Sequence, residues 1–230
     1  MIRVAVAGAL GRMGRVACTA LNAQIADVVF AGGLARSRVP EERIVDDFDE
    51  LLRVEKPDVL LDLTTHPDSV QISMNALAHG VRAVIGATGW SVQECDVLEK
   101  MAIERNLGAM MVANFSIGAM LMMKFAEIAA AYFPSVEIIE LHHDKKKDAP
   151  SGTARITAER ITASGGPASV PIHSVRLRGL VAHQEVLFGA DGELLTIRHD
   201  TFSRESFVPG MLSAVRTVMT VRGLQVGLDA

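Results

Sequence analysis

Strand-length apolar runs alternate with segments of helical period through the first half of the sequence. The apolar runs lie at 2–7, 28–34, 59–63, 83–86 and 109–113. Between them, apolar residues recur every three or four positions at 12–22, 69–79 and 91–106, as on the buried face of a helix. Strands that alternate with helices favour a parallel sheet with crossover connections. We therefore predict an α/β fold that begins with a Rossmann-type, doubly wound parallel sheet domain.

The pattern changes after residue 113. A Met- and Ala-rich helix is predicted at 118–132, then a strand at 136–141 and a helix from Ser151. Strand-like runs follow at 173–178, 182–188 and 193–199, the last two joined by the hairpin turn Gly189-Ala190-Asp191-Gly192. This order predicts an α+β domain with a mixed open sheet over 114–200. A last helix at 211–221 would return to the first domain, which would then comprise 1–113 and 201–230.

Charge and composition argue against several classes of protein. The chain has 23 Lys plus Arg and 27 Asp plus Glu, a net charge of −4, which is unlike a strongly basic nucleic-acid binder. There is no apolar run of transmembrane length and no basic, apolar leader at the start, so we expect a cytoplasmic protein without a membrane partner. Cys18 and Cys95 lack CxxC spacing, so neither a metal site nor a disulfide framework is predicted.

A glycine-rich turn, Gly8-Ala9-Leu10-Gly11-Arg12-Met13-Gly14, lies between the first predicted strand and helix. In a dinucleotide-binding fold, this turn holds the pyrophosphate against free amides of the helix N-terminus. The spacing is GxxGxxG, with Leu10 where the usual motif has its second glycine. The turn predicts nucleotide binding, and a tight structural turn without a ligand is the alternative.

The residues after the second strand indicate which nucleotide is bound. An NAD-selective site usually has an acid there for the ribose hydroxyls. Here Leu34-Ala35-Arg36-Ser37-Arg38 contains no acid and two arginines, and a guanidinium can bind a 2′-phosphate. We predict a preference for NADPH over NADH, with Arg12 and Arg36 as contacts and Arg38 as a further candidate. A solvated basic loop is the alternative.

Most of the chemical information lies at 140–154. His142 and His143 end a predicted strand and project in different directions, and lysines follow at 145–147. Histidine exchanges protons near neutral pH, and the lysines attract an anion. The segment Pro150-Ser151-Gly152-Thr153 predicts a helix start whose amides can bind a carboxylate. Together these features predict a pocket for a small dianion beside a proton donor. Taken singly, each favours a solvated surface loop, and nothing near Lys146 indicates a Schiff-base lysine.

These motifs resemble one family. The turn at 8–14, the segment 137–143 with Lys146, and the run Asp-Ala-Pro-Ser-Gly-Thr-Ala at 148–154 are similar to 4-hydroxy-tetrahydrodipicolinate (dihydrodipicolinate) reductases of the diaminopimelate and lysine pathway. Further matches lie at 86–89 and 113–116, and at Ser203-Arg204 with Phe207 and Gly210. The resemblance therefore covers nearly the whole chain.

The resemblance implies a two-domain enzyme, usually a homotetramer, that reduces 4-hydroxy-tetrahydrodipicolinate to tetrahydrodipicolinate with NADPH or NADH. By matching position, His142 would be the proton donor and Lys146 the second catalytic residue. His143, Gly152 and Thr153 would bind the substrate carboxylates. The second domain, 114–200, would then bind the substrate, and it is also expected to carry the contacts between subunits. The implied cofactor contacts are Gly8, Ala9, Leu10, Gly11, Arg12, Met13, Arg36, Gly86, Ala87, Thr88, Ala113, Asn114 and Phe115.

Two positions depart from the family pattern, and two other classes of protein stay open. Ala35 replaces an acid that many members carry, which supports NADPH, and Leu63 stands where phenylalanine is common. A different Rossmann-type reductase, such as a semialdehyde dehydrogenase, should lack the linked motifs at 142–143 and 150–153. A non-catalytic redox sensor would use the basic loop for docking. Binding of pyridine-2,6-dicarboxylate would discriminate these classes.

Overall fold

The computed structural model describes residues 1–23, 25 and 27–228. The chain divides into two compact units, Met1–Phe115 with Phe207–Ala230, and Ser116–Ser206. The sequence placed these boundaries at 113/114 and 200/201, and the last two residues of its discontinuous domain, 229 and 230, lie outside the described residues.

The described residues form the following strands and helices. The strands are β1 (Ile2–Ala7), β2 (Val28–Leu34), β3 (Ile44–Val45), β4 (Val59–Asp62), β5 (Arg82–Ile85), β6 (Gly108–Met111), β7 (Ser135–His142), β8 (Ile172–Arg176), β9 (Ala182–Ala190), β10 (Glu193–Thr201) and β11 (Gly223–Val226). The helices are α1 (Arg12–Asn22), α2 (Phe48–Glu55), α3 (Asp68–Ala78), α4 (Val92–Glu104), α5 (Ile117–Ala130), α6 (Gly152–Ala163) and α7 (Val208–Thr217), with short 3₁₀ turns at Pro40–Glu42 and Arg204–Phe207.

The first unit is built on a parallel sheet with the strand order β11-β6-β5-β4-β1-β2-β3. The order reverses between β1 and β4, and open α/β sheets bind ligands beyond the carboxyl ends of the strands at such a switch point. The predicted doubly wound sheet is confirmed. The strands β3 and β11 and the helix α2 were not predicted.

Both faces of this sheet are covered by helices. Along β1, Val4 and Val6 belong to the cluster that includes α1 and α7, whereas Ala5 and Ala7 pack with α2 and α3. Successive side chains of a strand point to opposite faces, so a strand that is covered on both sides is apolar at every position. This burial explains why the sequence of β1 is apolar at every position from Val4 to Ala7.

The second unit contains a mixed sheet with the strand order β10-β9-β7-β8. The strand β7 pairs antiparallel with β9 and parallel with β8, and β9 pairs antiparallel with β10. Met122 and Ala126 of α5 and Ile161 of α6 pack against one face of this sheet. The predicted mixed sheet is confirmed. The hairpin turn is shorter than predicted, because β9 continues to Ala190 and leaves only Asp191 and Gly192 in the turn.

Among the described residues, no helix is long and apolar enough to cross a membrane. Over the same residues, no cluster of His, Cys, Asp and Glu side chains has an arrangement that could hold a metal ion.

Candidate functional site

The β1–α1 turn is closely packed. Gly8 has a φ of +76°, and a Cβ there would lie 2.9 Å from the carbonyl oxygen of Leu63. A Cβ on Gly14 would lie 2.0 Å from the carbonyl oxygen of Gly8, so α1 can approach the turn only with glycine at this position. The helix begins after Gly11 with no side-chain cap and no acid in its first turn. Its first amides and the positive end of its dipole therefore remain available to an anion.

A groove of about 580 Å³ runs beside this turn. Its volume falls within the range of small-molecule and cofactor sites. Its lining comes from the β1–α1 turn, the end of β2 and the residues after it, the start of α2, the segment after β4, and α3. The lining residues are Gly8, Leu10, Gly11, Leu34, Ala35, Arg36, Ser37, Asp46, Phe48, Leu63, Thr64, Thr65, Asp68 and Ile72. Of the predicted cofactor contacts, Gly8, Leu10, Gly11 and Arg36 thus line one groove, while Ala9 is buried and Arg12 is exposed.

The two arginines after β2 have different surroundings. The side chain of Arg36 is 93% exposed and forms one ion pair, with Asp68 at 3.3 Å. Arg38 is bound by two carboxylates, those of Asp46 at 2.9 Å and of Glu50. The hydrogen bond from Arg38 holds the pKa of Glu50 below its usual range. Arg38 is therefore a weaker candidate than Arg36 for a phosphate contact, because its guanidinium already has two acidic partners.

Two further predicted segments follow β5 and β6, and Leu63, which departs from the family pattern, follows β4. A Cβ on Gly86 would lie 2.9 Å from Cε2 of Phe115 and 3.1 Å from Cδ2 of Leu63, so glycine allows these side chains to meet. A Cβ on Gly210 would lie 1.8 Å from the carbonyl oxygen of Phe115, so α7 packs directly against the segment after β6. The carboxyl ends of these strands therefore bring Leu63, Gly86 and Phe115 together. Of the other predicted contacts, Ala87 is buried, Asn114 is half-buried, and Thr88 and Ala113 are exposed.

Asp62, at the end of β4, is a buried acid to which the sequence analysis assigned no role. Its carboxylate accepts hydrogen bonds from the amide of Thr64 at 2.9 Å and from the hydroxyls of Thr64, Ser69 and Ser73. The indole of Trp90 donates to Ser69 at 3.3 Å. This network fixes the segment 63–65 that lines the groove. An acid that ends a buried strand and precedes several hydroxyl residues is the sequence signal for it.

In the second unit, His142 ends β7 beside a fully buried glutamate. Glu140 and His142 are two positions apart and therefore lie on the same face of the strand. Oε2 of Glu140 accepts a hydrogen bond from Nδ1 of His142. Arg176 of β8 donates to both oxygens of Glu140, at 2.9 and 2.7 Å, and the amide of Ser151 approaches Oε1 at 3.3 Å. Glu140 therefore connects His142 with β8 and with the start of α6.

The surroundings shift the protonation of this pair. Burial raises the pKa of Glu140, but hydrogen bonds from Arg176, Ser174 and His142 outweigh it, and the pKa lies below its usual value. Burial lowers the pKa of His142 below 6.5 by more than the hydrogen bond to Glu140 raises it, and the charges of Lys146 and Arg176 lower it further. In the chain alone, desolvation therefore favours the neutral imidazole of His142. A bound dianion would favour its protonation.

The other substrate-site candidates lie in the loop after β7 and at the start of α6. Nζ of Lys146 lies 2.8 Å from both carboxylate oxygens of Asp148, and this contact lowers the pKa of Asp148. The hydroxyl of Ser151 caps α6 by accepting from the amide of Ala154 at 3.2 Å. Gly152 and Thr153 follow as the first residues of the helix, which has no acid in its first turn. His143 is half-buried and lies outside the Glu140 network.

The first unit has the sheet order and the groove of a dinucleotide-binding domain, and the second holds a histidine, a lysine and a helix N-terminus suited to an anion. These features define the class of pyridine-nucleotide-dependent oxidoreductases. Residues 2–115 match the family model described as dihydrodipicolinate reductase, N-terminus, and residues 118–228 match the model of its C-terminus. The chain belongs to the dihydrodipicolinate reductase family, which confirms the resemblance.

Individual relatives match along nearly their full length. A protein of Geobacillus kaustophilus named 4-hydroxy-tetrahydrodipicolinate reductase is 44% identical over 262 aligned positions, covering 99% of this chain and 98% of the relative. One of the same name from Cutibacterium acnes is 44% identical, covering 100% and 98%. A solved structure described as dipicolinate-bound dihydrodipicolinate reductase from Paenisporosarcina sp. TG-14 has a TM-score of 0.88 at 38% identity, covering 99% and 98%. The alignment with the Geobacillus protein has 262 positions, whereas this chain has 230 residues. The chain is therefore shorter than this relative because it lacks residues at gaps within the alignment.

Proposed function

We propose that this chain reduces 4-hydroxy-tetrahydrodipicolinate to tetrahydrodipicolinate with NAD(P)H, in lysine and diaminopimelate biosynthesis. The observation that carries the proposal is the joining of His142 to the start of α6 through Glu140, which sets a proton donor beside an anion site. Relatives named for this reaction match nearly the whole chain. The solved relative is described as bound to dipicolinate, a planar dicarboxylate, which supports a small dicarboxylate as the substrate here.

The residues of the first unit fit a dinucleotide. Gly8, Ala9, Leu10 and Gly11 would follow the pyrophosphate, which would accept hydrogen bonds from the first amides of α1, at Arg12 and Met13. Arg12 and Arg36 would bind the 2′-phosphate of NADPH, and the absence of an acid at Ala35 favours that cofactor over NADH. The residues after β5 and β6, at 86–88 and 113–115, would contact the nicotinamide end. When bound, the reduced nicotinamide supplies the hydride.

The second unit would bind the substrate as a dianion. One carboxylate would accept hydrogen bonds from the amides of Gly152 and Thr153, and His143 would bind a carboxylate as well. Lys146 would exchange Asp148 for the substrate, because the Asp148 carboxylate is half exposed and water weakens its attraction to the ammonium. The two negative charges would then raise the pKa of His142, so the substrate would help to protonate its own acid.

The net reaction adds one hydride and one proton to the substrate and releases one water molecule. His142 would deliver the proton from Nε2 to the ring carbon next to the carbon that accepts the hydride, and negative charge develops at that position. Lys146 and the amides at the start of α6 would stabilise the carboxylates and the developing charge.

The assembly and the location of the enzyme are also part of the proposal. Leu121, Phe125, Ile128 and Tyr132 recur at helical spacing along α5 and just beyond it, and their side chains are exposed in the single chain. An apolar stripe of this kind supports assembly into a homotetramer. Cys18 and Cys95 are free thiols, which supports a reducing, cytoplasmic location. Light scattering during gel filtration tests the tetramer.

The decisive assay follows NADPH oxidation by the purified chain with freshly generated 4-hydroxy-tetrahydrodipicolinate. We expect turnover, stronger turnover with NADPH than with NADH, and competitive inhibition by pyridine-2,6-dicarboxylate. His142→Gln should lower kcat by about 10²-fold or more with little change in NADPH affinity. Binding of both nucleotide and dicarboxylate without turnover would instead identify a non-catalytic sensor and overturn the proposal.

A further inference from the structure

Glu140 is a buried carboxylate whose two oxygens are both occupied. Oε2 contacts His142 and accepts from Nη1 of Arg176 at 2.9 Å, whereas Oε1 accepts from Nη2 of Arg176 at 2.7 Å and faces the amide of Ser151. A buried carboxylate is costly unless such donors surround it. The arrangement therefore keeps Glu140 ionised and holds it in one orientation.

Arg176 is itself fixed in place. It donates to the carbonyl oxygens of Val175 and Asp148, each at 2.7 Å, in addition to Glu140. The parallel register pairs Arg176 with His142 across β7 and β8, which brings the guanidinium to the end of β7. Arg176 thus links Glu140 to the loop that carries Lys146 and Asp148.

We infer that Glu140 and Arg176 are positioning residues for the proton donor, an inference that rests on the proposed function of His142. An ionised carboxylate accepts only, so Nδ1 of His142 must carry a hydrogen, and Nε2 is left as the atom that gains and releases the catalytic proton. The amide of Ser151 ties the same carboxylate to α6, which sets the imidazole relative to the amides of Gly152 and Thr153.

Arg176 has a second effect, on the strength of the acid. An unpaired Glu140 would stabilise the imidazolium strongly, and His142 would then hold its proton too tightly to donate it. Arg176 neutralises much of that charge. The charged groups around His142 are Glu140 on its own strand, Arg176 on β8, and Lys146 with Asp148 in the following loop. The balance keeps the ring ready to donate a proton once a dianion is bound.

The test measures the ring itself as well as the rate. We expect ¹⁵N NMR of His142 in the wild type to show a single neutral tautomer with the hydrogen on Nδ1. Glu140→Gln should give a mixture of tautomers and lower kcat roughly 10- to 100-fold, with KM changed less than about threefold. Glu137→Gln is the matched control, because Glu137 lies on the same strand and pairs with an exposed histidine, His173 at 2.7 Å. It should leave the His142 spectrum and kcat unchanged.

The Arg176 variants keep the test valid if Glu140→Gln does not fold. Arg176→Gln should raise the pKa of His142 measured by NMR and move the alkaline limb of the kcat profile upward, and Arg176→Lys should restore most of the wild-type behaviour. An unchanged tautomer and pKa in folded variants would overturn the inference. If the wild type shows the expected tautomer but no turnover, the proposed function fails while the positioning of the ring by Glu140 stands.

Discussion

Replacing Arg36 with alanine tests the cofactor preference most directly. The side chain is 93% exposed and pairs with Asp68 at 3.3 Å, a surface pair worth at most about 1 kcal/mol. A charge-assisted hydrogen bond to a 2′-phosphate contributes roughly 1.5–3 kcal/mol. After the exchange of partners, about 1–2 kcal/mol remains, because solvent screens so exposed a group. Arg36→Ala should therefore lower the ratio of kcat/KM for NADPH to that for NADH by about 5- to 30-fold.

The assay compares initial rates with both cofactors, at low and at high ionic strength. Arg38→Ala is the matched control, since Arg38 lies two positions away but is bound by Asp46 and Glu50. It should change the ratio by less than about twofold. High salt should bring the NADPH/NADH ratio of kcat/KM in the wild type closer to the ratio in Arg36→Ala, because salt screens the attraction between Arg36 and the 2′-phosphate. The reasoning is refuted if Arg36→Ala leaves the ratio unchanged, or if both variants lower it equally.

Three further predictions concern packing, the buried acid and pH. Gly14→Ala places a Cβ 2.0 Å from the carbonyl oxygen of Gly8. The free energy of unfolding in urea should therefore fall by about 1–3 kcal/mol, and KM for NADPH should rise. If neither quantity changes, the packing argument is wrong. Asp62→Asn should lower the free energy of unfolding by about 1–3 kcal/mol in the same urea measurement, because it replaces one accepting oxygen by an NH₂ group that faces other hydrogen-bond donors. A stability equal to that of the wild type would count against this network. Burial lowers the pKa of both His142 and His199 in the folded chain, so the unfolded chain binds protons more tightly at these histidines. Tm should therefore fall as the pH drops below about 6.5. A Tm that stays constant from pH 7.5 to 5.5 would refute this prediction.

The sequence predicted the elements of the parallel sheet best where burial is complete. The bounds of β1, α1 and β2 agree with the structure residue for residue, because both strands consist of apolar residues and glycine except at Arg3, and the helix has one regular apolar face. The helix α2 was missed although Asp47 caps it by accepting from the amide of Glu50. Its eight residues bury only Leu51, so the periodic signal is short and weak. The strand β3 has two residues, too few for any alternation to be seen.

The candidate site could be predicted only where its parts are close in sequence. His142, Lys146 and Ser151 lie within one segment, and a helix start can be recognised from local residues. Arg176 lies on another strand, and nothing near it in the sequence shows that the β7–β8 register pairs it with His142. The same limit applies to Arg38, which resembled a phosphate ligand until its two carboxylate partners were located in space.

Burial of the carboxylate partner separates the cations that we expect to bind a ligand from the one that we expect to position another residue. Lys146 and Arg36 each contact a carboxylate that is about half exposed, Asp148 and Asp68, and water weakens such pairs by screening the carboxylate. Arg176 instead pairs with a fully buried glutamate, and breaking that contact would strand a charge away from water at a cost of several kcal/mol. We therefore expect a dianion to displace Asp148 from Lys146 but not Glu140 from Arg176. On this proposal the site would combine an exchangeable cation for the substrate with a fixed one for the proton donor, although the sequence presents both as ordinary basic residues.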